Sequence, residues 1–215
     1  MRLVTTCTEE EFRQHGHRLL ESFKHVKGAE LWWYADGFSL PKTPGVVEIS
    51  ADKLQALQAF RGRMSKYLTP SPEFDVLQHA PRIFAVCDAL GDYKGIGGWI
   101  SPRLRAVQDI PAHFLEGELR NAFIARLTRK GATSQDALWL MDCAHDQCAS
   151  FVQTLGDWLE SRSFTELPAW TDMDIVDATV RRFEKHGLIE SASMSGIHEG
   201  LQNPLIATDL GQYLC

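Results

Sequence analysis

The beginning of the chain constrains the fold most, because its first 34 residues carry the pattern of a strand, a helix and a second strand. Residues 2–6 and 30–34 are apolar runs typical of strands, and Thr8 followed by Glu11 is a capping box that opens a helix between them. A connection of this length joins parallel strands, and ligands bind to such sheets at the carboxyl ends of the strands. The sequence therefore predicts a mostly parallel α/β sheet with a ligand crevice beside Asp36, which follows the second strand.

Apolar periodicity predicts further strands and helices along the rest of the chain. Strands are expected over residues 96–100, 123–127 and 137–141, with the last two antiparallel around a turn. Helices are expected over residues 50–67 with Ser50 as N-cap, 81–90 with Pro81 in the first turn, 144–162 and 172–186. Residues 39–47 contain Pro and Gly and predict a loop. The interpretation is one α/β domain over residues 1–190 and an irregular tail over 191–215 that docks back through residues 203–206.

Composition and charge exclude several classes of protein. The chain has no run of about 18 apolar residues, and it is acidic at residues 9–11, where a signal peptide would be apolar. We therefore expect no membrane association and a cytoplasmic location. The net charge of −6 disfavours binding to nucleic acid. Five cysteines at irregular spacings indicate neither a disulfide framework nor a zinc site.

The turn Ser101-Pro102-Arg103 follows the predicted strand at residues 96–100, at the edge of the sheet where a ligand would bind. A site that holds a diphosphate through a divalent cation needs carboxylate oxygens at this point. This turn offers a hydroxyl, an imino ring and a guanidinium instead. The sequence therefore predicts a site without a metal, in which Ser101 and Arg103 contact the ligand.

Eight short segments, in order along nearly the whole chain, carry a resemblance to a known group of proteins. They are residues 4–7, 31–36, 59–63, 82–86, 99–100 with 109–115, 129–131, 168–172 and 203–205. Their order and spacing resemble those of phage and bacterial proteins related to GT-A-fold glycosyltransferases. The resemblance implies a single GT-A-like (Rossmann-like) domain and a nucleotide sugar, of the UDP type, as donor substrate.

The chain departs from the pattern of this group at five separated points. The usual Asp-x-Asp motif and the usual His-Lys, Ser-Glu, Trp-His-Asp and Asp-His residues are changed. In their places stand Ser101-Pro102-Arg103, Pro81-Arg82, Ser134-Gln135, Trp170-Thr171-Asp172 and Asp209-Leu210. Metal ligands and acidic groups are thus replaced together, which suggests that the scaffold is kept while its metal-dependent chemistry is relaxed.

Three candidate nucleotide contacts lie at the ends of the first two strands. Asp36 is a candidate acceptor of hydrogen bonds from the ribose or base, and a turn-forming Asp before Gly37 is the alternative. Thr5 and Thr6 are candidates for contact with the same nucleotide, and ordinary strand threonines are the alternative.

Arginines are the candidates for the diphosphate, because a guanidinium can neutralise phosphate oxygens bidentately and so replace a cation. Arg82 and Arg103 occupy positions that the resemblance brings to the site, and Arg63 belongs to a basic cluster with Arg61 and Lys66. Solvent-exposed surface positions are the alternative for each of them. Asp172 is either an acceptor-side carboxylate that acts as base or the N-cap of the helix that follows. Asp172, as base, and Arg103, as stabiliser of the departing nucleotide, are the predicted catalytic residues.

The combined prediction is a glycosyltransferase-like protein that binds a nucleotide sugar and transfers the sugar without a metal. The alternative is an inactive transferase scaffold that binds a protein partner in an interaction between phage and host. A role in modifying DNA is a third hypothesis, disfavoured by the net charge.

Overall fold

The computed structural model describes residues 1–66, 74–119, 121–127 and 137–194 and the backbone of 205–207. Its strands, numbered in chain order, are β1 (Arg2–Thr8), β2 (Val26–Lys27), β3 (Glu30–Asp36), β4 (Val46–Ser50), β5 (Ile96–Ile100), β6 (Leu104–Ala106), β7 (Ile110–Pro111), β8 (Ile124–Arg126), β9 (Leu138–Asp142), β10 (Ser191–Ser193) and β11 (Leu205–Ala207).

Seven of these strands form one central sheet in the order β10-β8-β9-β5-β1-β3-β4. Six of the seven run in the same direction, and β9 runs antiparallel to both of its neighbours. β1 therefore lies in the middle, between β5 and β3, and its register places Thr8 opposite Asp36 at the carboxyl ends of the two strands. Two small sheets, β2 with β7 and β6 with β11, lie outside the central one.

Helical segments connect the strands. They are α1 (Glu9–Glu11), α2 (His17–Ser22), α3 (Gln55–Met64), α4 (Val76–Leu90), α5 (Ala112–Gly117), α6 (Cys148–Glu160) and α7 (Asp172–Lys185), with a π-helical turn at Phe12–Gly16 between α1 and α2. The predicted capping box begins the first segment, because Oγ1 of Thr8 accepts a hydrogen bond from the backbone N–H of Glu11 at 3.2 Å. Within the described parts of the chain, every helix is too short or too polar to cross a lipid bilayer.

Two apolar layers cover the two faces of the sheet, because successive side chains of a strand point to opposite faces. In β1 and β3, Val4 and Tyr34 pack with α3, α4, α6 and α7, while Leu3 and Trp33 pack with α2 and α5. The adjacent Trp32 and Trp33 are divided in the same way, as their neighbouring positions in a strand predict. The result is a single α/β domain with a mostly parallel central sheet flanked by helices, which confirms the predicted fold class.

Several predicted boundaries are wrong for identifiable reasons. Residues 46–50, of which the first two were predicted to belong to a loop, form β4 at the edge of the central sheet beside β3. Ser50 ends this strand and its side chain caps no helix; α3 begins at Gln55 after a short 3-10 turn. Pro81 lies in the interior of α4 rather than in its first turn. A proline at that position removes the N–H that would bond to the carbonyl of Leu77.

Two described segments near the carboxyl terminus, residues 191–193 and 205–207, are strands. Residues 191–193 form the outermost strand of the central sheet, parallel to β8, and are not an irregular tail. Residues 205–207 pair with β6, so this part of the chain does contact the domain. The predicted antiparallel pair of residues 123–127 and 137–141 is confirmed as β8 and β9. Segments 129–131, Ser134-Gln135, Asn203-Pro204 and Asp209-Leu210 lie outside the described residues.

Candidate functional site

A cleft of about 220 Å³ lies at the carboxyl ends of β1 and β3, beside the turn that follows β5. This is the edge of the sheet where the strand–helix–strand pattern predicted a ligand crevice. The residues that line it come from the ends of β1 and β3, from α1 and the π-helical turn that follows it, from α4 and from the turn after β5. They are Thr6, Cys7, Thr8, Glu10, Glu11, Gln14, Asp36, Leu77, Gln78, Pro81, Arg82 and Arg103.

The end of β1 forms the floor of the cleft. Thr6 is buried and its hydroxyl donates to the backbone oxygen of Tyr34 at 2.7 Å, which fixes the spacing of β1 and β3 at this point. Burial, followed by the charge of Glu11, raises the pKa of the Cys7 thiol, so this side chain is neutral. Thr5 is fully buried and lies outside the cleft lining. Thr6 therefore reaches the predicted site, whereas Thr5 belongs to the core.

Arg82 enters the cleft from α4 and is held by a buried carboxylate. Nη1 of Arg82 lies 3.2 Å from Oδ1 and 3.3 Å from Oδ2 of Asp172, and Nδ1 of His79 lies 2.9 Å from the same Oδ1. Asp172 is 4% exposed and is not part of the cleft lining. The guanidinium also lies over the ring of Trp99 in β5, 5.4 Å from its centroid.

The protonation state of Asp172 follows from this environment. Burial by itself would raise the pKa of the carboxyl group, but the charge of Arg82 and the hydrogen bond from His79 lower it. The net pKa lies below the ordinary value, so the carboxylate is ionised at neutral pH. Asp172 is not the N-cap of α7, because Oγ1 of Thr171 accepts the hydrogen bond from the backbone N–H of Asp174.

Arg103 enters the cleft from the opposite side, on the turn after β5. Its Nε lies 3.5 Å from Oε1 of Glu11, and this nitrogen makes no hydrogen bond to any residue that the structure describes. Ser101 is buried, and its hydroxyl accepts the backbone N–H of Arg103 at 3.3 Å. Ser101 thus shapes the turn that presents Arg103, and it lies outside the cleft lining.

Asp36 lines the cleft, but both of its oxygens are engaged. Nη1 and Nη2 of Arg61 in α3 donate to Oδ1 and Oδ2 at 3.1 and 2.5 Å, a bidentate geometry that fixes both side chains. Arg63, two residues further along α3, is exposed and does not line the cleft. Of the basic cluster predicted around residues 61–66, Arg61 is therefore the member that contacts a residue of the site.

The residues at the turn after β5 do not fit a divalent metal. The turn supplies the Arg103 guanidinium and a buried Ser101 hydroxyl, and a hard cation requires several carboxylate or carbonyl oxygens around one point. No group of three or more His, Cys, Asp or Glu side chains with a geometry suited to a metal ion occurs among the described residues. Glu11, the cleft carboxylate in contact with Arg103, is already directed at a positive charge.

The structure also brings residues to the cleft that the sequence did not indicate. Glu10 and Glu11 come from α1, Gln14 comes from the π-helical turn that follows it, and Gln78 comes from α4. Gln14 donates to Glu10 at 3.1 Å, a contact of neighbours one turn apart. The capping box could have indicated Glu10 and Glu11. It predicts the first turn of a helix at the carboxyl end of β1, and the side chains of these two residues line the cleft there.

Comparisons with known proteins agree with this architecture at the level of the fold. No protein-family model matches the chain, and no curated protein sequence is significantly similar to it. Solved structures do match. Mouse xyloside xylosyltransferase 1 has 13% identity, with 89% of this chain and 83% of that one covered and a TM-score of 0.51.

Two further glycosyltransferases show similar agreement. The galactosyltransferase LgtC, solved with donor and acceptor sugar analogues, is 8% identical, with 90% of this chain and 73% of that chain covered and a TM-score of 0.51. The bifunctional glycosyltransferase WbbM is 11% identical with a TM-score of 0.56; the match covers 83% of this chain and 37% of that longer protein. At such identities the agreement concerns the fold alone, and the chain therefore has the α/β fold of GT-A-type glycosyltransferases.

Proposed function

We propose that the protein binds a nucleotide sugar in the cleft at the ends of β1 and β3 and transfers the sugar to an acceptor without a metal ion. The observation that carries this proposal is the position of two guanidiniums. Arg82 and Arg103 enter the same cleft from α4 and from the turn after β5. A diphosphate held through a divalent cation would instead need carboxylate oxygens around that cation. The fold shared with glycosyltransferases supports the choice of ligand.

The two arginines supply the electrostatic stabilisation that the transfer needs. When the bond between the anomeric carbon and the diphosphate oxygen breaks, negative charge accumulates on the diphosphate, and fixed positive charges nearby lower the energy of that state. The acceptor hydroxyl oxygen forms the new bond to the anomeric carbon. Its proton passes to the departing diphosphate, because a phosphate with a pKa near 6 is a stronger base than an ordinary carboxylate.

Asp172 has a supporting role in this proposal. A general base must come within hydrogen-bonding distance of the acceptor, whereas Asp172 is buried behind Arg82 and outside the cleft lining. Its carboxylate fixes Nη1 of Arg82, and His79 holds the carboxylate from the other side. We therefore assign Asp172 and His79 the role of positioning Arg82 rather than the role of a base.

The remaining predicted residues have more limited roles. Thr6 and Thr8 supply hydroxyls at the floor of the cleft, and Asp36 with Arg61 forms a rigid wall on the β3 side. The alternative of an inactive scaffold that binds a protein partner is not favoured, because the similar structures are glycosyltransferases.

A panel of nucleotide sugars tests the proposal. The protein is incubated with UDP-, GDP-, CMP- and dTDP-sugars in the presence of EDTA, and the release of free nucleotide and the melting temperature are both measured. We expect the sugars of one nucleotide class to raise the melting temperature. We also expect slow release of that nucleotide, as the sugar is transferred to water or to an acceptor. If no member of the panel changes either quantity, the proposal is wrong.

A further inference from the structure

The two arginines of the cleft are paired with carboxylates of very different accessibility. Asp172, the partner of Arg82, is 4% exposed and lies outside the cleft lining. Glu11, the partner of Arg103, is itself a lining residue, and its side chain is 22% exposed beside an Arg103 side chain that is 36% exposed. One carboxylate is therefore out of reach of a ligand, while the other lies in the space that a ligand would enter.

The buried Arg82–Asp172 contact is also stronger than the partly exposed Arg103–Glu11 contact. Asp172 accepts from Arg82 and from His79 in a buried site, and breaking a buried pair leaves an uncompensated charge, which is strongly unfavourable. Glu11 lies 3.5 Å from Arg103 without a hydrogen bond to Nε, and partly exposed pairs of this kind contribute little to stability. The Glu11–Arg103 contact is therefore the one that can be exchanged.

The other cleft carboxylates do not compete for Arg103 in this way. Both oxygens of Asp36 are held by Arg61, and Glu10 accepts from Gln14. The negative charge of Glu11 also raises the pKa of the Cys7 thiol, although burial of the thiol is the larger cause. Among the described lining residues, Glu11 is thus the acid whose ion-pair partner is a cleft arginine.

We infer that Glu11 is an internal competitor of the anionic ligand: its carboxylate occupies Arg103 in the ligand-free protein and must leave when a diphosphate binds. This inference rests on the proposed function and specifies how that site is regulated. A carboxylate and a phosphate present similar anionic oxygens to a guanidinium, so either can fill the same position. Glu11 weakens binding of donor and product alike, and it accelerates release of the nucleotide after transfer.

The local backbone allows this exchange without unfolding. The backbone N–H of Glu11 is held by Oγ1 of Thr8, so the helix start stays in place while the side chain rotates about its own torsions. Replacement of Glu11 by glutamine removes the charge and keeps this backbone hydrogen bond. The variant Glu11→Gln is therefore expected to fold, and its melting temperature checks that it does.

Calorimetric titration of the full chain with UDP and, separately, with inorganic pyrophosphate tests the inference. We expect Glu11→Gln to bind both ligands about 3- to 10-fold more tightly than the wild type, because a like charge is removed from beside the anion. The matched control is Glu9→Gln, which removes a charge from the same short helix α1 but outside the cleft lining, where Glu9 pairs with Arg13; its affinities should change less than about 2-fold. In the double variant Glu11→Gln/Arg103→Gln the gain should disappear.

The outcomes separate this inference from the proposed function. If Glu11→Gln gains affinity for pyrophosphate but no variant binds UDP, the inference holds and the proposed function is wrong. If UDP binds equally to wild type and to Glu11→Gln, or if the gain survives the loss of Arg103, the inference is overturned and the proposed function stands. If neither ligand binds to either protein, both are overturned.

Discussion

Nη1 of Arg82 lies within 3.3 Å of both carboxylate oxygens of Asp172, although 90 residues separate them in the chain. The contact joins the middle of α4 to the first residue of α7 and fixes the direction in which the guanidinium enters the cleft. Because Asp172 is buried and ionised, the pair contributes both to folding and to the shape of the site. Two predictions follow from the chemistry of this carboxylate.

Replacement of Asp172 by asparagine should reduce stability and nucleotide affinity together. The change removes the carboxylate charge from the buried Arg82–Asp172 pair, and breaking such a pair costs roughly 3 kcal/mol in the free energy of unfolding. Urea denaturation measures the loss, and titration with UDP measures the affinity. Asp174→Asn is the control, since it removes a charge from the same helix turn without contacting Arg82 and should lower stability by only about 1 kcal/mol.

The stabilisation by Asp172 should disappear in acid. Burial raises the pKa of this carboxyl group, the Arg82 charge and the His79 hydrogen bond lower it, and the net pKa in the folded protein is below the unfolded value of about 3.9. The ionised group therefore stabilises the fold above about pH 4, and this contribution is lost as the pH falls through the folded-state pKa. Between pH 5 and pH 3, the difference in unfolding free energy between wild type and Asp172→Asn should shrink. A difference that grows as the pH falls would contradict the assignment.

The two cleft arginines should each contribute to binding of a nucleotide diphosphate. A hydrogen bond to a charged group contributes about 1.5–3 kcal/mol, so Arg82→Gln and Arg103→Gln should each weaken UDP binding roughly 10- to 100-fold. Arg63→Gln is the matched comparison, because Arg63 is exposed on α3 and lies outside the lining. We expect that variant to bind within 2-fold of the wild type, on the order of the changes seen at exposed positions. Equal effects of all three substitutions would indicate a general charge effect rather than a site.

The close approach of β5 and β9 should make Gly98 irreplaceable. A Cβ at this position would lie 2.1 Å from the backbone oxygen of Trp139 and 2.9 Å from Cα of Leu140, so the central sheet would have to move. Gly98→Ala should cost about 3 kcal/mol or more of unfolding free energy. Gly62→Ala is the control, since nothing lies within 4 Å of that Cβ and alanine favours the helix; it should raise stability by about 0.5–1 kcal/mol. Equal stability of the two variants would contradict the packing described for β5.

Local sequence patterns were sufficient to predict the centre of the fold. The capping box of Thr8 and Glu11 and the apolar runs on either side predicted β1, the first helical segment and β3, and hence the edge of the sheet where the cleft lies. The edge strand β4 was missed because it follows a loop that contains Pro and Gly and because its residues are only partly buried or exposed. The sequence predicted Pro81 in the first turn of a helix, because the missing N–H of a proline is tolerated there. In the structure Pro81 is buried in the interior of α4, where the packing of the helix outweighs the preference of proline for a first turn.

The contacts within the site could not be predicted in the same way. Asp172 follows directly on the true cap Thr171, and only the packing of α7 against α4 shows that its side chain faces Arg82. The pairing of Glu11 with Arg103 depends on how the turn after β5 meets the start of the first helical segment. Such long-range geometry leaves no periodic signal in the sequence. Residue type and the family resemblance therefore indicated the arginines but not their partners.

The dependence of nucleotide binding on a divalent cation tests the central claim most directly. UDP is titrated into the protein in EDTA and again in manganese, and the dissociation constants are compared, with Arg103→Gln measured in parallel. The predicted result is binding in EDTA that manganese changes less than about 3-fold and that Arg103→Gln weakens roughly 10-fold or more. Binding that requires manganese and is unaffected by Arg103→Gln would contradict the replacement of a metal by guanidiniums in this cleft.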